Sequence, residues 1–148
     1  MKSNNGFISF FFKNEVDSRT LLVRLVVGFI FLTEGIQKYL FPELLGTGRF
    51  LKIGFSDPAF WAYFTGAFEI ICGALIIAGI LIRLASIPPF IIMLVAFVTT
   101  KWPILMEKGF WPFAHEYWTD FAMTLLLVYL FLYGATNWTD NSTKRYTP

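Results

Sequence analysis

The sequence predicts an all-α integral membrane protein, a four-helix bundle with both termini on the same side of the bilayer. Hydrophobic residues make up 56% of the 148 residues and charged residues only 15%, whereas a soluble domain averages about 25% charged residues. The apolar residues are gathered in four segments near the length of about 20 residues that a membrane-spanning helix needs. Helices that are apolar on all sides would have nothing to bury them in a soluble chain of this size.

The four predicted spans cover about residues 20–40, 59–82, 84–100 and 119–138 of a single transmembrane domain. Residues 1–19 form an N-terminal arm with an apolar stretch that is short and has no clear signal-peptide cleavage site. We expect this arm in the cytoplasm or on the membrane surface. Residues 139–148 form a polar tail.

The connections between the spans predict the topology. Residues 41–58 and 101–118 form two substantial loops, whereas spans two and three are joined by little more than Arg83 and its neighbours. The long loops therefore emerge on one face, and both termini emerge on the other. Lys and Arg are modestly more numerous on the terminal face, which places both termini in the cytoplasm. Pro88 and Pro89 lie near the start of span three and are expected to shape the entrance of this hairpin.

Composition excludes several classes of function. The chain has one cysteine, Cys72, and one histidine, His115. It therefore cannot form an internal disulfide, a Cys-x-x-Cys redox pair, a cysteine-rich or multi-histidine metal site, or a bis-histidine haem. The net charge is only +2 and the basic residues are scattered, so no nucleic-acid partner is expected.

Charged residues inside the predicted spans are the main candidates for function, because such charges are costly and usually face the bundle interior or a cavity. On span one, Arg24 and Lys38 share a face with Gly28 and Gly35, which would let another helix approach closely. Glu34 precedes Lys38 by four residues, the favourable order for a helical ion pair.

Glu69 lies in the middle of span two and is too short to reach the headgroups. Gly66 and Gly73 flank it on the same face, which indicates that it points towards span one. Antiparallel packing would bring it within about one turn of Glu34. The predicted buried polar cluster therefore comprises Glu69, Arg24, Glu34 and Lys38.

Other interpretations of these residues stay open. Arg24, Lys38 and Arg83 could extend to the headgroups from positions near the span ends, and Glu69 could be a lone protonated acid without a role. Arg83 and His115 are secondary candidates, and His115 belongs either to a solvated loop or to the mouth of a cavity. Cys72 is most simply a packing residue, and no metal site is predicted.

The same segments carry a family likeness. Residues 22–28, Leu-Val-Arg-Leu-Val-Val-Gly, and 34–38, Glu-Gly-Ile-Gln-Lys, resemble the first helix of the DoxX family. Residues 66–73, Gly-Ala-Phe-Glu-Ile-Ile-Cys-Gly, and 79–83, Gly-Ile-Leu-Ile-Arg, continue the resemblance. The chain departs from many relatives at residues 134–138, where Gly-Ala-Thr-Asn-Trp replaces a Gly-Pro-Gly-like turn.

The resemblance implies a small inner-membrane protein of bacteria or archaea. It places Arg24, Lys38, Glu69 and Arg83 at the family's recurrent polar positions. Some relatives are subunits of a thiosulfate:quinone oxidoreductase, and others are linked to membrane redox complexes and oxidative-stress defence. A fold hosts many functions, however, so the resemblance alone does not supply a reaction.

Three functions are compatible with these residues. The chain could be an accessory subunit of a quinone-linked redox complex, with a quinone near the polar cluster and electrons supplied by a partner, since the chain has no flavin, haem or iron–sulfur motif of its own. It could instead be a non-catalytic membrane scaffold, or it could transport a small solute coupled to protons. The expected partners are the lipid bilayer and either another membrane protein or further copies of the chain, and whether the chain is itself an enzyme stays open.

Overall fold

The computed structural model describes residues 20–134, and this part of the chain is helical and contains no strand. The predicted all-α class is therefore confirmed. The predicted arm, 1–19, and tail, 139–148, lie outside the described residues. The elements are α1 (Leu21–Leu40), α2 (Thr47–Lys52), α3 (Pro58–Ala78), α4 (Ile82–Ala96), a π-helical turn (Phe97–Lys101), α5 (Trp102–Lys108) and α6 (Phe110–Tyr133).

Two helical stretches are long and apolar enough to cross a membrane, judged by length and composition. They are Pro58–Ala78, which is α3, and Ile82–Lys108, which joins α4, the π-helical turn and α5. Helix α1 has 20 residues but carries the charged side chains of Arg24, Glu34 and Lys38. Two features stay predictions: that the chain crosses the membrane four times, and that both termini lie on the same side of it.

Both long connections contain helix that the sequence did not predict. Helix α2 lies within the first of them, and the predicted loop 101–118 is helical on either side of Gly109, which has a φ of 83°. Helix α6 therefore begins well before the predicted span at residue 119. The prolines that suggested a loop are Pro103 and Pro112. Pro112 lies in the first turn of α6, where a proline removes no helical hydrogen bond, whereas Pro103 directly follows the π-helical turn inside the stretch Ile82–Lys108.

The ends of α3 follow from its sequence. Asp57 caps the first turn, with its Oδ1 accepting a hydrogen bond from the backbone nitrogen of Phe60 at 3.1 Å, and Pro58 follows as the first helical residue. The helix ends at Gly79, whose φ of 79° suits a residue without a side chain. The turn to α4 is therefore only residues 79–81.

Pro88 and Pro89 lie inside α4, so the prediction that they shape the hairpin entrance is wrong. The helix begins at Ile82, six residues before the first proline. Proline has no backbone N–H, so these two residues leave two helical hydrogen bonds unmade. Pro89 is among the most completely buried side chains of the described region, which shows that this irregular stretch packs against the core.

Helices α1 and α3 are antiparallel and touch through their backbones. Near one end Arg24 donates to the carbonyl oxygen of Ile76, and at the other end Tyr39 Oη donates to that of Tyr63. Between these points a Cβ on Gly73 would lie only 2.8 Å from the carbonyl oxygen of Gly28. The glycines therefore allow a helix contact that any side chain would prevent.

Helices α4 and α6 form the second antiparallel pair. Near the start of α4, Arg83 Nη2 donates to the carbonyl oxygen of Leu132 at 3.1 Å, and at the end of the π-helical turn Lys101 Nζ donates to that of Glu116 at 2.8 Å. A core between the two pairs is built from α1, α3, α4 and α6. Its members are Val27, Phe31, Cys72, Ile76, Ile82, Ala85, Met123, Leu127 and Leu130.

The distribution of polarity is the reverse of that in a soluble domain. Large apolar side chains face outward along the helices, with Leu22 74% and Trp111 81% exposed. Charged side chains lie inside, among them Arg24, Lys38 and Glu69. Lys, Glu and Arg are almost never buried in soluble proteins unless paired. The outward apolar surface suits lipid as the surrounding medium.

Candidate functional site

A buried ion pair joins α1 to α3. Lys38 Nζ lies 2.5 Å from Glu69 Oε2, and the two residues are only 7% and 3% exposed. The same ammonium group approaches the backbone oxygen of Glu34 at 3.5 Å. Since each charge is neutralised where water is excluded, the pair can persist in the interior, whereas either partner alone would be strongly disfavoured.

Gly66 makes room for this pair. A Cβ on Gly66 would lie 2.9 Å from the ring of Tyr39 and 3.5 Å from the Cβ of Lys38. On the opposite helix, a Cβ on Gly35 would lie 2.7 Å from the Gly66 carbonyl oxygen. The two glycines thus bring the end of α1 against α3 closely enough for Lys38 to reach Glu69.

The ion pair lines a cavity of about 400 Å³. Helices α1, α3, α4 and α6 and the α2 region line it at the end of the bundle where Lys38 and Lys101 lie. Most of its wall is apolar or aromatic, including Phe31, Trp61 and Met123. A largely apolar cavity of this size with a few convergent polar groups is typical of a small-molecule site.

Glu34 also lines the cavity, but it does not pair with Lys38. The predicted ion pair between them is absent from the described residues, where the ammonium of Lys38 contacts Glu69 instead. Helical spacing alone brings Glu34 and Lys38 to neighbouring turns, but the contact between α1 and α3 offers Lys38 a carboxylate that is directly opposite and more deeply buried. Glu34 is half-buried, so its carboxylate is available to a ligand.

Arg24 does not join the cluster around Glu69. It lies at the other end of the α1–α3 contact, where Nε donates to the carbonyl oxygen of Ile76 at 2.9 Å and Nη2 to that of Ile77 at 2.7 Å. Both carbonyls belong to the last turn of α3, where the usual helical donor four residues on is missing, and the Ile76 oxygen also accepts a hydrogen bond from the backbone nitrogen of Gly79 at 3.2 Å. Nη1 is buried and has no hydrogen-bond partner among residues 20–134. Arg24 therefore caps a neighbouring helix.

Replacing Arg24 with Met is expected to lower the thermal unfolding midpoint of the protein in detergent. The change removes two hydrogen bonds from a charged donor, each contributing about 1.5–3 kcal/mol to the free energy of unfolding. Lys52→Met removes an exposed charge on α2 and should leave the midpoint unchanged. Equal midpoints for the two variants would show that Arg24 does not stabilise the end of α3.

The secondary candidates lie apart from the cavity. Arg83 is buried and donates to the Leu132 carbonyl oxygen at the end of α6, which resembles the role of Arg24 at the end of α3. His115 is exposed on α6 and does not line the cavity. Its predicted place in a loop is wrong, because α6 already begins at Phe110. Cys72 is a buried member of the core.

Sequence reasoning missed a second charged cluster, which surrounds Lys101. This residue is only 9% exposed, and its ammonium lies 3.3 Å from Asp120 Oδ2 and 3.7 Å from Glu116 Oε2. The sequence predicts a loop at Lys101, because this residue follows directly on an apolar span. The four-residue spacing of Glu116 and Asp120 was the available signal, since it puts both carboxylates on one helix face. No group of three or more His, Cys, Asp or Glu side chains within residues 20–134 is arranged for a metal ion.

The comparisons with known proteins agree with the resemblance noted in the sequence. Residues 19–102, more than half of the chain, match the DoxX family. Over 124 residues the chain is 42% identical to "Uncharacterized membrane protein Rv3486" of Mycobacterium tuberculosis, which covers 80% of this chain and 76% of that protein. It is 31% identical over 117 residues to "Putative oxidoreductase CatD" of Bacillus subtilis, covering 78% of this chain and 79% of that protein.

No solved structure matches the chain with significance. The family match and the two relatives together with the outward apolar surface nevertheless lead to one assignment. The chain belongs to the DoxX family and is a membrane protein.

Proposed function

We propose that this protein is the membrane subunit of a quinone-linked redox system and binds a quinone in the cavity beside Lys38 and Glu69. The observation that carries the proposal is a largely apolar cavity of about 400 Å³ that contains a buried ion pair. A quinone head group is a mostly apolar ring with two carbonyl acceptors, so it needs such a wall and a donor. The Lys38 ammonium is a donor of this kind.

Glu69 gives the site a group that can exchange protons. Quinone reduction takes up two protons with two electrons, and a carboxyl group next to the ring oxygen could donate or accept one of them. The electrons would come from a partner protein in the same membrane. The name of the Bacillus subtilis relative, "Putative oxidoreductase CatD", supports this direction.

The proposal includes a location and topology. We place the protein in the bacterial cytoplasmic membrane, with four spans and both termini in the cytoplasm. The organisms of the relatives support a bacterial membrane. In this orientation the cavity lies in the half of the bundle away from the cytoplasm, near the last turn of α1, which carries Lys38, and near the π-helical turn, whose last residue is Lys101.

A quinone titration tests the proposal. Purified protein in detergent should show saturable quenching of tryptophan fluorescence by a short-tailed quinone, because Trp61 lines the cavity. Glu69→Gln should weaken the affinity at least tenfold, which corresponds to about 1.4 kcal/mol of binding free energy. Lys38→Met combined with Glu69→Leu, which leaves no buried charge unpaired, should abolish saturable binding while the protein stays folded.

Glu43→Gln is the matched control, because Glu43 is exposed and does not line the cavity. Its affinity should equal that of the wild type. The proposal is wrong if the wild-type protein shows no saturable quenching, or if the folded double variant binds the quinone as tightly as the wild type does.

A second candidate function, a non-catalytic scaffold, is favoured by a different observation. The Lys38–Glu69 pair lies in the same interface as the close glycine contacts between α1 and α3, so it could serve only to fix how these helices align. In that case the double variant would retain every membrane partner that co-purifies with the wild type, and neither protein would bind quinone.

A further inference from the structure

The cavity has a second polar wall, formed by α6 and the π-helical turn. Asp120, Thr100 and Thr119 line the cavity there. Lys101 ends the π-helical turn and lies 3.3 Å from Asp120 Oδ2. It also donates to the carbonyl oxygen of Glu116 at 2.8 Å. These contacts hold the Asp120 carboxylate at the cavity wall, and π-helical turns are frequent at functional sites.

The charges around the cavity nearly balance. Three acidic side chains line it, Glu34, Glu69 and Asp120, together with the basic side chains of Lys38 and Arg49. Lys101 contacts both Asp120 and Glu116, and the two residues of this group that lie outside the lining, Lys101 and Glu116, add one charge of each sign. The remaining excess of one acidic group disfavours an anionic ligand, and the apolar wall suits an uncharged one.

The carboxylates that line the cavity and the ammonium group of Lys38 recognise different hydrogen-bonding groups on a ligand. An ionised carboxylate only accepts hydrogen bonds, whereas a quinone carbonyl cannot donate one. Asp120 would therefore face a quinone oxygen with no hydrogen between them, which is unfavourable. A hydroquinone has a hydroxyl group at each end of its ring and can donate to Asp120 at one end and to Glu34 or Glu69 at the other.

We propose that Asp120, positioned by Lys101, accepts a hydrogen bond from a ligand hydroxyl, so that the cavity binds the reduced, hydroquinone form more tightly than the oxidised form. This inference rests on the proposed function and adds to it the form of the ligand and a second contact point. Asp120 is the contacting residue, and Lys101 is a positioning residue that acts through it.

An ether series tests the inference without interference from oxidation. Binding of an alkylated hydroquinone and of its dimethyl ether is measured under anaerobic, reducing conditions. The ether keeps both oxygen atoms but has lost both hydroxyl hydrogens, so it cannot donate a hydrogen bond. The wild type should bind the hydroquinone at least tenfold more tightly than the ether, and also more tightly than the corresponding quinone measured under oxidising conditions. Asp120→Ala should weaken hydroquinone binding about tenfold, in line with the loss of a charged hydrogen bond, and leave the ether affinity unchanged.

Variants of Lys101 test its positioning role. Lys101→Met should reduce the preference for the hydroquinone over the ether, whereas Lys101→Arg, which keeps a cationic donor, should restore most of it. Glu107→Ala removes an exposed acid of α5 and should change neither affinity. A purely structural role for Lys101 would instead lower both affinities by the same factor.

The outcomes separate this inference from the proposed function. If Asp120→Ala changes the hydroquinone and ether affinities equally, or changes neither, Asp120 is not a ligand contact and the inference is wrong. The proposed function would still stand if quinone binding is lost in the Lys38→Met and Glu69→Leu double variant. If the wild type binds neither the quinone nor the hydroquinone, both are wrong.

Discussion

Glu69→Leu alone is expected to lower the free energy of unfolding by about 3–5 kcal/mol, because it leaves the buried ammonium of Lys38 without its partner. The cost arises from the unpaired charge and not from the lost side chain. Lys38→Met should have a similar effect, since it leaves the Glu69 carboxylate buried alone. Lys38→Met combined with Glu69→Leu should recover most of the stability, because an apolar pair of similar size can replace a buried ion pair.

Unfolding in detergent, followed by circular dichroism, measures these differences as a double-mutant cycle. Glu43→Leu controls for the change of residue type, because Glu43 is exposed, and it should unfold like the wild type. The account of the ion pair fails if the double variant loses the sum of the two single losses, since additivity means that the two side chains do not interact.

Gly73→Leu is expected to prevent folding. A Cβ at this position would lie 2.7 Å from the backbone nitrogen of Leu32 and 2.8 Å from the carbonyl oxygen of Gly28. Backbone atoms cannot rotate away as side chains can, so the helices must separate. The loss should therefore exceed the roughly 1–3 kcal/mol that is usual for overpacking. Size-exclusion chromatography after expression should show aggregate in place of a single folded species.

Ala74→Leu is the control for this change. Ala74 is the next residue along α3, but it faces outward and is exposed. A larger apolar side chain there enters the surrounding lipid or detergent, so Ala74→Leu should elute and unfold like the wild type. Normal folding of Gly73→Leu would mean that α1 and α3 are not in backbone contact.

The helices and their buried faces could be predicted because they depend on local pattern. Arg24, Gly28, Gly35 and Lys38 recur at helical spacing, and they lie on the buried face of α1. On α3, Gly66 and Gly73 predict that the face they share with Glu69 is buried, and all three residues are buried. A repeated small residue on one helix face has few explanations in an apolar segment, and close helix packing is the commonest.

The partners of the charged residues could not be predicted in the same way. Lys38 has a carboxylate four residues earlier on its own helix, yet it pairs with Glu69 across the glycine contact. Arg24 binds carbonyl oxygens at the end of α3, which a search for opposite charges does not consider. Which groups form contacts depends on how far the two helices are shifted along each other. That shift is set by the packing of both helices together and cannot be read from the sequence of either one.

The polar cavity wall that is formed by α6 and the π-helical turn could not be predicted, for a related reason. Proline and glycine between residues 101 and 118 are typical of a loop, yet Pro112 lies in the first turn of α6, where a helix tolerates proline. Once α6 extends back to Phe110, Glu116 and Asp120 face Lys101 across the α4–α6 contact. Because the sequence predicts too late a start for α6, it does not reveal the contact of Lys101 with Glu116 and Asp120.

Photolabelling in lipid nanodiscs tests the claim that a quinone binds in this cavity most directly. A short-tailed quinone with an azido group on its ring is irradiated with the wild-type protein, and the labelled residues are identified by mass spectrometry. We predict labels on cavity-lining residues such as Phe50, Thr65 and Ile92, removed by excess unlabelled quinone and lost in the Lys38→Met and Glu69→Leu double variant. Labels spread over outward-facing residues such as Leu22 and Ile71, unaffected by competition or by the double variant, would contradict the account.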